Sequence, residues 1–242
     1  MRAALIAIAL LACNSHNSST MDAMIQPDAP PDSPLDAPPD APPPLDCPTY
    51  CAEISANCTG TNAQYADDQA CRHACEKFPV GASTVTDMSG NTLGCRIYHA
   101  GAPSKVSPET ECPRAGPAGD LITAGPGAPA YCSGGDFCTT FCTLEIAACG
   151  SLNAPLPTNP SDSTNNNPVY QYVNMANCLS HCPDFDQTHI YSPTAVGDSF
   201  ACRLAQAITA LVSITPGATM HCSSTGIDQD PPVGFCFGTP AP

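Results

Sequence analysis

The sequence predicts a mainly α, small disulfide-rich fold: two tandem helical-hairpin modules with loop-rich C-terminal parts, after a disordered Pro/Asp linker. Three observations carry that expectation. Of the 17 cysteines, all but Cys13 fall into one eight-cysteine pattern written twice. Cys47, Cys51, Cys58, Cys71, Cys75, Cys95, Cys112 and Cys132 are spaced like Cys138, Cys142, Cys149, Cys178, Cys182, Cys202, Cys222 and Cys236, both as C-x3-C-x6-C, a variable gap, C-x3-C-x19-C and two looser cysteines. Apolar content is too low for an ordinary core: Leu, Ile, Val and Phe make up roughly 16% of the chain, Trp is absent and net charge is -15, values that without cysteine would read as disorder. The C-x3-C pairs, finally, sit at helical spacing. Disulfides at this density persist in an oxidising compartment, and they supply what the core lacks.

The first element is not part of the fold. Met1-Arg2 carries one positive charge, residues 3–12 are an unbroken apolar run, and Leu10-Leu11-Ala12-Cys13 closes it. That run is far shorter than the ~20 residues a membrane-spanning helix needs, so residues 1–12 read as an export signal. Leu10-Leu11-Ala12-Cys13 resembles the lipobox of bacterial lipoproteins. The resemblance implies cleavage before Cys13, a diacylglycerol on its sulfur and acylation of its amine. Several acyl chains, at about 0.8 kcal/mol per buried methylene, hold a protein on a bilayer. Asn14 follows where, in that class, Asp favours inner-membrane retention. The expected location is therefore the outer membrane, on its periplasmic face or at the cell surface.

Residues 13–46 hold the lipidated cysteine and the linker. From Pro27 the chain cycles through Pro-Asp-Ala-Pro, Pro-Asp-Ser-Pro, Leu-Asp-Ala-Pro and Pro-Asp-Ala-Pro, with Asp28, Asp32, Asp36 and Asp40 in register and no Lys or Arg. Proline fixes φ and removes donors while like charges repel, so extended polyproline II is expected, reaching on the order of 60 Å. A single column of carboxylates lacks the converging oxygens of a calcium site. The segment reads as a spacer.

Module 1 spans 47–132 and module 2 spans 138–236. Cys47, Cys51, Ile54 and Cys58 share one helical face, as do Cys138, Cys142 and Cys149. The second helix is expected from Tyr65 to Lys77, with Asp67 and Asp68 in its first turn, and its counterpart from about Tyr172 to Cys182. Antiparallel helices with facing C-x3-C pairs bond outer to outer and inner to inner. This predicts Cys47 with Cys75, Cys51 with Cys71, Cys138 with Cys182 and Cys142 with Cys178. The geometry is similar to the twin C-x3-C hairpins of small mitochondrial chaperones, although the other cysteines have no place in that family. For Cys58, Cys95, Cys112 and Cys132, and for Cys149, Cys202, Cys222 and Cys236, three connectivities stay open.

A third helix is signalled where Gly90-Asn91-Thr92-Leu93-Gly94-Cys95-Arg96-Ile97 lines up with Gly197-Asp198-Ser199-Phe200-Ala201-Cys202-Arg203-Leu204. Asn91 and Asp198 are the expected N-caps, with helix to about Ala102 and Ser213 and Gly/Pro-rich loop beyond. Matched pairs such as Tyr65 with Tyr172, Phe78 with Phe185, Gly116 with Gly226 and Tyr131 with Phe235 read as core and turn positions. Residues 151–168 are an Asn/Pro/Ser/Thr-rich surface insertion.

Candidate chemistry is sparse. Arg96 and Arg203 occupy matched positions, and Arg203 is the sole basic residue after Arg114. Their expected role is a structural guanidinium paired with Asp120 and Asp230, the alternative being an anion-binding site in each module. The histidines form no matched pair in the sequence, and oxidised cysteines are unavailable as ligands, so no metal or other cofactor is expected. No hydrolase, metalloprotease or phosphate-loop motif occurs, so no catalytic residue is assigned and the chain is not expected to be an enzyme. Acidic residues outnumber basic ones eight to five in module 1 and seven to one in module 2, which repels nucleic acid.

The motifs C-x-T-[YF]-C and G-[ND]-[ST]-x-x-C-R, behind a lipobox, resemble uncharacterised cysteine-rich lipoproteins of Gram-negative bacteria. The leading expectation is a lipid-anchored envelope or surface protein whose modules bind a protein or glycan partner or serve envelope structure. A periplasmic metal-binding or thiol-redox protein, which needs reduced cysteines, is the first alternative. A secreted hydrolase-type enzyme is the second.

Overall fold

The computed structural model describes residues 43–81, 88–119, 131–133, 137–150, 171–213, 221–226 and 235–236. The segment expected as an export signal, Cys13, most of the expected linker, Asp120, Asp230 and residues 151–168 lie outside them. The described residues are mainly helical and contain no strand. No described helix is long and apolar enough to cross a membrane.

Module 1 opens with α1 (Cys47–Asn57), capped by Asp46, whose carboxylate accepts from the Thr49 amide at 2.8 Å, with Pro48 in the first turn. After a short 3-10 turn at Gly60–Asn62, α2 (Asp68–Cys75) starts at Asp67, which accepts from the Ala70 amide at 2.8 Å. The helix is shorter than the Tyr65 to Lys77 span expected, because Asp67 caps it rather than lying inside. α1 and α2 form a hairpin joined by Cys47–Cys75 and Cys51–Cys71.

α3 (Leu93–Ala100) and, in module 2, α8 (Phe200–Val212) begin one residue later than the glycine turns suggested. The caps are Thr92 and Ser199, which accept from the Cys95 and Cys202 amides at 3.1 and 3.2 Å, and not Asn91 and Asp198. Gly90 and Gly197, at φ 88° and 84°, turn the chain so that the hydroxyl rather than its acidic or amide neighbour meets the helix end.

The stretch expected as loop after Ala102 is also helical: α4 (Ala102–Val106) and α5 (Pro108–Ala115). Gly101 separates α3 from α4, while Pro103 and Pro108 stand in first turns where a missing N–H costs nothing. Cys112 on α5 reaches back to Cys58 at the end of α1, and Cys132 bonds Cys95.

Module 2 repeats the plan. α6 (Phe137–Cys149) and α7 (Met175–His181), followed by a 3-10 turn at Cys182–Asp184, carry Cys138–Cys182 and Cys142–Cys178. Cys149–Cys222 and Cys202–Cys236 complete the set. Both modules thus pair first with fifth, second with fourth, third with seventh and sixth with eighth cysteine.

Most aromatic matches lie in the core or pack against it, whereas Phe235, the match of Tyr131, is 43% exposed. Tyr50 meets Tyr65 and Phe78 edge-on, and Phe141 meets Tyr172, Phe185 and Phe200 likewise. Gly116 and Gly226 are close-approach positions, since a Cβ on either would collide with the side-chain amide of Gln64 or Gln171. The two modules share one apolar cluster, in which α2 packs against α8 and Tyr191 is buried near the Tyr50–Tyr65 pair.

Candidate functional site

Two constellations recur in both modules. The first is the arginine bed. Arg96 lies 4.0 Å over the Phe78 ring and donates through Nη1 to the Thr92 carbonyl at 3.2 Å. Arg203 lies 4.2 Å over Phe185 and donates through Nη1 to the Ser199 carbonyl at 3.3 Å. It also donates through Nε to the Gly226 carbonyl at 3.3 Å. These are matched residues making matched contacts, so the guanidinium ties the start of α3 or α8 to the aromatic that follows the preceding helix.

The expected partners Asp120 and Asp230 lie outside the described residues. Arg203 pairs with Asp198 at 2.7 Å, five residues earlier in the chain. In module 1 that position is Asn91, whose Oδ1 has no partner among the described residues, and neither do Arg96 Nε and Nη2. Burial pulls the Arg96 guanidinium below its ordinary pKa. At 0% and 4% exposure the two arginines present almost no surface to solvent.

The second constellation was not legible from matched histidines. His99, on α3, bonds through Nδ1 to Glu111 on α5 at 2.5 Å, while its Nε2 meets the Met88 carbonyl at 3.2 Å. Arg114 bonds the other Glu111 oxygen at 2.7 Å and lies 4.0 Å over the Tyr131 ring, which also contacts His99 edge-on. In module 2 the residue four past Cys202 is Gln206, and the residue before Cys222 is His221. These two bond at 2.6 Å, and His221 stacks on Phe235. Histidine and partner have exchanged places across the same helix-to-loop contact, and in both modules the aromatic before the last cysteine covers the ring. The signal available in the sequence was the position relative to cysteine, not the residue type. Partial burial lowers the His221 pKa.

Around His99 the chemistry is denser. Its imidazole and the sulfurs of Cys95 and Cys132 each offer one ligand atom, and these atoms lie within 4.8 Å of one another, all in buried residues. Cys132 is the sole non-glycine with positive φ among the described residues, at 48°, and the Ser133 amide closes onto the Tyr131 carbonyl at 2.7 Å around it. A γ-turn with a left-handed centre is a strained form of chain.

Among the described residues, module 2 contains one buried acid, Glu145. Neither carboxylate oxygen has a hydrogen-bond partner within bonding distance among the described residues, and the nearby Thr225 hydroxyl donates to the Cys222 carbonyl at 2.8 Å. Burial, offset a little by Thr225, pushes its pKa up to about 8.

Comparison with known proteins gives one result for this architecture. No curated protein and no solved structure matches the chain. Residues 47–140, which hold the whole of module 1 and the first turn of α6, match the model of the BfoA family C-terminal domain.

Proposed function

We propose that the chain is a lipid-anchored envelope protein of the outer membrane that presents two disulfide-stapled modules for binding or structural interaction. The observation that carries this reading is a count. Eight disulfides consume sixteen cysteines of the seventeen, and the one left over is Cys13, at the end of the lipobox-like run.

The acidic surplus favours cationic, neutral or glycan partners over nucleic acid. The modules act in this reading by recognition and not by catalysis. The test is intact mass on protein purified from membranes, with alkylation before and after reduction, beside a Cys13→Ser variant. A diacylglyceryl-modified Cys13, no free thiol, and loss of membrane partitioning in the variant are expected. An unmodified Cys13, or a variant that partitions like the wild type, overturns the anchor.

A further inference from the structure

We propose that reduction of the Cys95–Cys132 disulfide converts its surroundings in module 1 into a zinc-binding site, with both cysteines and His99 as ligands. Three independent observations converge there. The two sulfurs and an imidazole nitrogen are within 4.8 Å of one another, so little movement brings them onto one ion once the sulfur–sulfur bond is gone. Glu111 holds one ring nitrogen of His99, and Arg114 holds Glu111. A carboxylate placed in this way orients a metal-bound imidazole and leaves the other nitrogen as the ligand. That nitrogen now rests on the carbonyl of Met88, an exposed residue, at 3.2 Å. Cys132, finally, is held at φ 48° at the centre of a turn that the Ser133 amide closes onto the Tyr131 carbonyl, a backbone form L-residues rarely adopt.

Module 2 is the internal contrast. It keeps the Cys202–Cys236 bridge but has Gln206 where module 1 has His99, and a carboxamide is no substitute for imidazole on zinc.

The chemistry balances as follows: a dithiol reductant gives up two electrons and two protons and becomes a disulfide, while the Cys95–Cys132 bond breaks to two thiols. Zinc then displaces both thiol protons as the thiolates coordinate. While the bridge is oxidised the site is closed.

The test uses the full chain, folded and oxidised, exposed anaerobically to graded dithiothreitol. Alkylation and peptide mass locate the first thiols, and Co2+ serves as the spectroscopic probe with Zn2+ as competitor. Expected are thiols at Cys95 and Cys132 with helical circular dichroism retained, one Co2+ per chain with thiolate charge-transfer absorption, and none in the oxidised protein. His99→Gln, which copies module 2, should keep the two thiols and bind Co2+ about tenfold or more weakly. If that variant fails to fold, the comparison of oxidised with partly reduced wild type decides alone. Thiols at Cys95 and Cys132 that appear only as helicity is lost, or Co2+ binding indifferent to His99, overturn the proposal.

Discussion

Glu145 occupies in module 2 the place that Ile54 holds in module 1: each stands three residues after the second cysteine of its first helix, and each is buried. One core therefore accommodates an apolar side chain where the other encloses an acid.

The acid makes stability depend on pH. In the folded protein Glu145 keeps its proton up to about 8, whereas in the unfolded chain it loses it near the ordinary 4.5. Between those values the folded state binds more protons, so stability is full below the lower value and falls as pH rises, at roughly 1.4 kcal/mol per unit. Glu145→Gln should flatten the urea midpoint across that window, and Glu145→Ile should raise it at pH 8. A wild-type midpoint unchanged from pH 5 to 8 would show that Glu145 is not held neutral.

The Tyr50 hydroxyl donates to the Ala115 carbonyl at 2.7 Å, and the Tyr65 hydroxyl is 2.9 Å from it. In module 2, Phe141 replaces Tyr50, and Tyr172 reaches the matched Thr225 carbonyl directly at 2.9 Å. Tyr172→Phe therefore leaves a buried carbonyl unsatisfied and should cost about 1–3 kcal/mol. Tyr50→Phe should cost less, because Tyr65, the counterpart of Tyr172, can take over the Ala115 carbonyl. Equal losses in chemical denaturation would refute this exchange of donors.

Arg203 and Asp198 contribute unequally. Asp198 is 66% exposed at its side chain while Arg203 is 5% exposed. Asp198→Asn, the residue module 1 uses, should cost less than about 1 kcal/mol. Arg203→Ala removes the stack on Phe185 and the bonds to two carbonyls, and should cost several-fold more. Thermal melts of both variants at moderate salt decide between a clamp that works by packing and one that works by charge.

Full reduction should abolish the helical circular dichroism signal, since crosslinks replace missing core. Among single bridges the order should follow loop length. Cys149–Cys222 spans 73 residues and Cys51–Cys71 spans 20. Chain-entropy scaling makes the longer one worth about 1 kcal/mol more. Urea midpoints of the paired alanine variants test it, and a reversed order would assign the stabilisation to local packing.

Spacing made much of this fold legible. The hairpin bridges follow from C-x3-C pairs facing across antiparallel helices, a local relation. The Cys58–Cys112 bridge depends on how α5 folds back on α1, and Cys95–Cys132 on how a turn outside the helices meets α3, neither of which any periodicity encodes. The helix caps were displaced by one residue because Thr92 and Ser199 compete with Asn91 and Asp198 for the same amides, and the glycine turns decide the contest. The arginine bed was visible as a matched position; the ion pair of Arg203 with Asp198, five residues upstream, was not sought there. The His99 and His221 sites escaped notice because donor and acceptor traded elements between modules, which erases the match in sequence and preserves it in space.

Cys47 is both the first residue of α1 and one end of a bridge. Tension arriving along the segment before it meets a covalent sulfur link to Cys75 before it can peel a turn of helix away. Unfolding under pull is governed by the rate of the first rupture, and past the Asp46 cap, which bonds the Thr49 and Tyr50 amides, the next link is covalent. The load is then shared between α1 and, through the bridge, the end of α2.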